Sequence, residues 1–461
     1  MKFTDLIKNK KPSYYVVYFL ILLHFIGGMI TNLSILITSI WVFYYIVFVR
    51  RWDIYLIFLL ILPTICFSVE NDLGIGESLS IFDNFNNVWL LGPLALSSNF
   101  TMALAIPIRL LIDFGKTKFK FLTIIIFINI FLAICGLLFS LLSGESNPSG
   151  LTVGFRITLS LGTVLLSKSI IDKKTFIEGL DKIILVSFIL LILDVLNNHW
   201  FFVVFGFVPY FVYRIKPKFL ALLPLFISFN ILYNLSNTIT IIATLLISFI
   251  FYLFINIGDK MRNFITSRHI ISLIIIIPII ITIFTLSLNQ TGDYDLTTFD
   301  GFVKFKLLGD RKPIWDATWD NIRTSSFFVK PAGSSLDVYF DFTQKWVDWT
   351  AGSHNIFLEI GRQVGLFSMI SLTTILLIML NKAGRYLNSK NDMILFFCFL
   401  SVFLIFGLTG QSLIYDGVGS LFWLLVGQFY HVSSENMDSD SYKPNSLQKE
   451  IVTEKNSPEI L

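Results

Sequence analysis

Residues 308–322 read LGDRKPIWDATWDNI, and residues 351–366 read AGSHNIFLEIGRQVGL. A polar run separates them, and the second piece passes directly into an apolar segment. Together they hold most of the one long hydrophilic insertion, 289–353, of an otherwise greasy chain. Apolar runs frame this block on both sides, so it reads as a loop on one face of a membrane between helices that cross it.

Composition supports that reading. The chain has 461 residues, 55% of them hydrophobic, with 48 phenylalanines and a mean hydropathy of +0.74. Only 14% are charged, against about 25% in soluble domains. A soluble protein of this size would have too much apolar surface to hide. The expected fold is all-α, a polytopic membrane bundle of 12–14 transmembrane helices. The expected spans are 14–31, 33–49, 54–69, 88–112, 119–143, 151–171, 180–197, 200–213, 219–234, 237–257, 269–288, 355–380, 392–409 and 413–430. Short neighbours such as 200–213 also read as half-helices, which gives the lower count. The chain divides into N-terminal spans (1–288), the loop (289–353), C-terminal spans (354–431) and a polar tail (432–461) that reads as disordered and cytoplasmic.

Charge placement gives an orientation. The net charge is +4; the tail from Val432 holds six acids and three bases, so the remainder carries +7. With the N-terminus inside, basic clusters at 50–51, 116–120, 173–174, 214–218, 259–262 and 382–390 all fall on the cytoplasmic side. The acidic 70–83 connection and the insertion fall outside, as the positive-inside bias requires. The expected location is therefore a membrane, with the insertion on its non-cytoplasmic side. Lys8, Lys10 and Lys11 precede the first span with no small-residue cleavage site after it, which reads as a retained anchor. Cys66, Cys135 and Cys398 each sit in an apolar run and read as packing residues.

Within the insertion, Asp310 is placed to cap a helix and Pro313 fits its first turn. At 100° per residue, Arg311, Trp315, Thr318, Trp319 and Ile322 share one face, and Lys312, Asp316, Asp320 and Arg323 the other. Arg311 thus stands on an apolar face, where a cation needs a partner. A helix lying on the membrane with its Trp pair in the interface points Arg311 toward the spans; pairing with a structural carboxylate, or snorkelling, is the plainer reading. His354 follows Ser353, a candidate cap, and sits where the insertion re-enters the bilayer. Glu359 and Arg362 are spaced to pair along one helix. No HExxH or paired-carboxylate metal spacing is present, and no cofactor or nucleic-acid partner is expected.

The order GDRKPIWDATWDNI, a loop of several tens of residues, then SHNIFLEIGRQVGL, resembles the bacterial O-antigen ligase and polymerase superfamily. LTGQSLIYDGVGSLFWLLVGQ (408–428) resembles that family's closing helix. The motif resemblance covers roughly 308–430. It implies a metal-independent glycosyltransferase that uses a polyprenyl (undecaprenyl) diphosphate-linked glycan outside the cytoplasmic membrane. A flippase and a chain-length regulator are the implied protein partners. The family's loop arginine and histidine map onto Arg311 and His354. Its mid-chain Ser-Arg pair does not recur: the matching place reads Leu235-Ser236-Asn237-Thr238. Arg156, near the outer end of its span, is the substitute, and Arg109 is less suitable because it lies nearer the cytoplasm. Asn355, Trp315, Trp346, Trp349 and Arg362 are the candidate substrate contacts.

The residue types suit the chemistry. A departing diphosphate is met by bidentate arginine forks, and an acceptor hydroxyl needs a base, for which His354 is the first candidate. His354 can instead hold the diphosphate and leave Asp316 or Glu359 as base. Trp346 and Trp349 offer flat faces to sugar rings, or serve as an interfacial aromatic belt. The leading reading is a polymerase of lipid-linked repeat units. A ligase uses the same donor and leaving group. A transporter or flippase would instead place its charges at mid-depth. The orientation is testable by labelling in sealed cells, with the native cysteines replaced. Gly333→Cys should react with an impermeant thiol reagent from outside and Lys216→Cys should not; reaction at the latter contradicts the orientation.

Overall fold

The computed structural model describes residues 120–143, 173–192, 198–214, 238–288, 297–331, 336–341, 343–349, 353–385 and 389–409 and 422–429. Short pieces are added at 43–44, 47–48, 89–91, 94–96, 105, 108–112, 164, 167, 295 and 387. The spans expected at 14–31, 54–69 and 219–234, the tail, and nearly all of 33–49 and 151–171 lie outside the described residues.

The described chain is mostly helical. Its first pieces are strands β1 (Trp89–Leu91) and β2 (Leu94–Leu96), an antiparallel pair. A single helix over 88–112 is therefore corrected: Gly92-Pro93 is a turn signal that a hydropathy reading passes over. Then come α1 (Lys120–Ser143), α2 (Lys173–Ile192), α3 (Asn198–Arg214) and α4 (Thr238–Ile257). Helix α2 starts at Lys173, earlier than expected, and takes the lysine pair into its first turn. Next are α5 (Asp259–Ile265) and α6 (Arg268–Ser287). The insertion is entered by α7 (Phe299–Lys304), a π-helical segment (Phe305–Arg311) and α8 (Lys312–Arg323). Strands β3 (Leu336–Phe340) and β4 (Lys345–Trp349) form its hairpin. After it come α9 (Ile356–Val364), α10 (Leu366–Arg385) and α11 (Lys390–Thr409).

Among the described residues, two helical stretches are long and apolar enough to cross a membrane, His269–Ser287 and Leu366–Gly384. Helices α3, α4 and α11 pack on one another, burying Phe205, Phe207, Phe396, Phe397, Phe399 and Phe403. Elsewhere Leu111, Phe131, Leu142, Ile257, Ile283 and Phe284 stand 60–86% exposed.

The insertion is not a bare loop. It has a small core of its own, in which Ile314, Trp315 and Ile322 of α8 meet Leu336, Val338 and Phe340 of β3 and Leu358 of α9. Strand β3 alternates buried and exposed positions, as a half-buried strand should. The all-helical expectation gives way at both hairpins.

The span expected over 355–380 is broken at Gly365. This residue ends α9 with φ +120°, a backbone that favours glycine. A Cβ there would also meet the Phe328 carbonyl oxygen at 3.1 Å. The break leaves α9 as a short, wholly buried helix below the hairpin. Asn355, not Ser353, caps it: its side-chain oxygen accepts from the backbone N–H groups of Phe357 (3.0 Å) and Leu358 (3.3 Å). Its amide nitrogen donates to Thr282 Oγ1 of α6 at 2.8 Å, so one residue both starts α9 and ties it to a long helix.

Glu359, fully buried, locks α9 to the chain that enters it. It accepts from Arg362 Nη2 (2.8 Å) and Nε (3.2 Å), from Gln363 (2.8 Å) and from the Ser353 backbone N–H (2.7 Å). Burial alone would raise its pKa; the Arg362 guanidinium and these donors outweigh that and hold the carboxyl well below its usual range. Removing one partner of such a pair strands a buried charge. Arg362→Met should therefore cost about 3–5 kcal/mol. Adding Glu359→Leu should recover part of that loss. Thermal unfolding of the purified variants checks this; a double variant as unstable as the single would contradict it.

Candidate functional site

Proline 313 shapes the first half of the site. It has no N–H to donate, and its ring crowds the carbonyl four residues back, at Gly309. The chain answers with the π-helical turn over Phe305–Arg311, and Gly309 is buried within it. Wider turns of this kind recur at functional sites. Arg311 is its last residue.

The wheel drawn at 100° per residue holds along α8, which begins after the π turn, but it cannot see that the end of α6 covers the helix's first turn. Lys312, expected on the solvent side, is buried. Its Nζ donates to the Leu286 carbonyl at the end of α6 (3.2 Å) and to Asp316 (2.9 Å). Asp310, expected as a cap, instead pairs with Lys306 at 3.0 Å. Arg323 does lie on the exposed side, paired with Asp320 at 2.9 Å.

These pairings leave Arg311 over. It is half-buried, and among the described residues no hydrogen bond or ion pair reaches its guanidinium. Burial pulls its pKa down, and only the Asp310 charge works against that.

His354 supplies the second half. It has φ +54°, a left-handed backbone that costs a non-glycine residue on the order of 1–3 kcal/mol. Its neighbours impose that kink: Ser353 is tied to Glu359, and Asn355 is committed as a cap. The imidazole lies half-buried beneath the hairpin, its ring 5.7 Å from that of Trp349, which in turn meets Phe340. Its pKa is pushed down to about 4, first by burial and then by the Arg311 charge; Asp310 and Glu359 oppose this only in part. At neutral pH the ring is uncharged, able to accept a proton but not to act as a cation.

The structure thus brings Arg311, His354 and Trp349 to one place, with Lys306 and Asp310 beside them. Other sequence candidates sit differently. Trp315 is fully buried in the small core, and its indole N–H has no hydrogen-bond partner among the described residues. Asn355 and Arg362 are buried, engaged as cap and as the partner of Glu359; those ties suit them to holding α9 rather than to meeting substrate. Glu359 is likewise committed, which removes it as an alternative base. Trp346 is 71% exposed on the outer side of the hairpin. Arg156 lies outside the described residues. Arg109 is buried and donates to the Val47 carbonyl at 3.2 Å.

One residue escaped the sequence reading. Lys330 is buried and donates to the Asn321 carbonyl at 3.2 Å. Burial, then the Arg362 charge, lowers its pKa to about 7. A single lysine in SSFFVKPAG carries no pattern that would have marked it. Among the described residues no three His, Cys, Asp or Glu side chains gather as a metal would need.

No family model, curated protein or solved structure matches this chain.

The coupling of Arg311 to His354 is measurable. Arg311→Gln removes the second-largest cause of the depressed pKa, so the His354 midpoint should rise from about 4. Histidine-selective NMR reads it directly, with the resonance assigned by loss in His354→Gln. An unchanged midpoint would mean that the two groups do not share a site.

Proposed function

We propose that this protein is a polytopic membrane glycosyltransferase that joins polyprenyl-diphosphate-linked oligosaccharide repeat units into a surface polysaccharide, on the outer face of a bacterial cytoplasmic membrane. The observation that carries the reading is Arg311, a half-buried cation with no partner among the described residues, whose charge helps to lower the pKa of His354. A desolvated guanidinium is stable only if some anion completes it. A diphosphate fits its planar fork better than a carboxylate fits a lysine. The long apolar helices and their exposed Leu, Ile and Phe faces support the membrane part, since lipid tails are the solvent such faces prefer.

The proposed step is a displacement at the anomeric carbon. The acceptor hydroxyl oxygen forms the new bond while the bond from that carbon to the diphosphate oxygen breaks. The hydroxyl proton passes to the unprotonated His354 ring, and the electron pair leaves with the diphosphate against Arg311. A ring of pKa near 4 is a weak base. Seating an anion on Arg311 cancels one cause of that depression, so His354 becomes a better base when the donor is bound. Trp349 shields the imidazole from water on the hairpin side. Arg156 remains the candidate for a second diphosphate contact on sequence grounds.

Losing one such charge-stabilising contact should slow transfer by about 10²–10³-fold. Arg311→Lys should fail like Arg311→Ala, because a point charge does not replace the fork. His354→Ala should fail as well, Arg156→Ala should fail if it is the second contact, and Arg323→Ala should be silent. The readout is the polysaccharide ladder of a deletion strain complemented with each variant at matched abundance. Single repeat units without long chains indicate a polymerase, and loss of all acceptor-linked glycan indicates a ligase. Normal long chains from Arg311→Ala would remove the mechanism.

A further inference from the structure

On the inner face, β3 joins the small core and Trp349 lies over His354, while Lys345 and Val347 of β4 stay exposed. The outer face is exposed along both strands. In the register of β3 and β4, Tyr339 faces Trp346 and Asp337 faces Asp348. Paired residues share a face, so two aromatic rings and two carboxylates stand together on one exposed patch. Trp346 is 71% exposed and Tyr339 37%, with ring centroids 5.3 Å apart at 48°. Both aspartates are exposed, and neither has an ion-pair partner among the described residues.

This arrangement works against stability. Like charges directly opposite on a strand pair repel, and a tryptophan left in water forgoes the burial that its area offers. A ligand with C–H faces and hydroxyl donors offsets both costs, and a saccharide has both. We propose that the outer face of the β3–β4 hairpin is a saccharide-binding platform. A sugar ring's C–H face lies on Trp346 and Tyr339, against the negative face of each ring. Its hydroxyls donate to Asp337 and Asp348. Strand β4 turns Trp349 to His354 on one face and Trp346 outward on the other, so glycan on the platform is one strand away from the reacting centre. The identity of the saccharide rests on the glycosyltransferase reading: it is the polymer made, or the repeat unit about to join it.

The test uses the full chain in lipid nanodiscs and polysaccharide released from cells that produce it, with binding measured by calorimetry. Wild type should bind, Trp346→Ala should bind roughly tenfold more weakly, and Trp346→Tyr should keep part of the affinity. Asp337→Asn with Asp348→Asn should also weaken binding, and chelation of divalent cations should change nothing. Matched melting temperatures establish that the exposed positions were changed without unfolding. Arg311→Ala should bind like wild type while failing to build chains. Affinity unmoved in Trp346→Ala, or no binding by wild type, overturns the platform. Affinity abolished by chelation overturns it too, since the carboxylates would then hold a cation. Normal chains from Arg311→Ala with Trp346-dependent binding would leave the platform standing and remove the mechanism instead.

Discussion

A carboxylate with no exposure to solvent is tolerable only when its charge is met on every side, and Glu359 meets that condition. Arg362 grips it through two nitrogens, Gln363 adds a third donor, and the Ser353 backbone N–H closes the set. That last bond reaches back across the start of α9 and fixes the chain on either side of His354. Asn355 completes the arrangement by capping α9 and holding Thr282 of α6. The left-handed backbone of His354 is the cost of satisfying both neighbours at once. The position of the imidazole therefore depends on a polar lock made by its neighbours.

The two arginines of the site differ in one respect. Arg362 is buried with its counter-ion Glu359, which lies three residues back on the same helix. Arg311, at the end of the π turn that Pro313 forces, has none among the described residues, since Lys306 already takes Asp310. The first arrangement builds a scaffold; the second leaves a charge that no described residue meets. The same contrast recurs on the hairpin. Leu336, Val338 and Phe340 of its inner face are absorbed by the core, and its outer aromatic pair and carboxylates stay exposed.

Much of this was legible in the sequence, for physical reasons that can be named. Mean hydropathy and the isolated polar block located the insertion. The three-residue spacing of Glu359 and Arg362 announced their pairing, and the Trp-rich face of α8 announced a helix with one buried side. Other features were hidden by the rule used to read them. A fixed 100° step cannot see a π turn, so Asp310 was placed at a cap; nor can it see the end of α6, which buries Lys312, a residue placed in solvent. A hydropathy reading runs through Gly365, because apolar residues lie on both sides, and through Gly92-Pro93 for the same reason. The alternation in LDVYF and KWVDW was present but short, and a loop label covered it. Lys330 carried no signal, because its burial comes wholly from the tertiary packing around it.

The central claim is that Arg311 is an unfilled diphosphate contact, and equilibrium binding tests it without any need for turnover. Purified protein in nanodiscs is titrated with a short-chain polyprenyl diphosphate, and the affinity is compared between wild type and Arg311→Lys. A charged fork contact of this kind is worth about 1.5–3 kcal/mol, so the lysine variant should bind roughly 10–100-fold more weakly. Equal affinity in the two proteins would contradict the account, because Arg311 would then be a buried cation that no diphosphate completes.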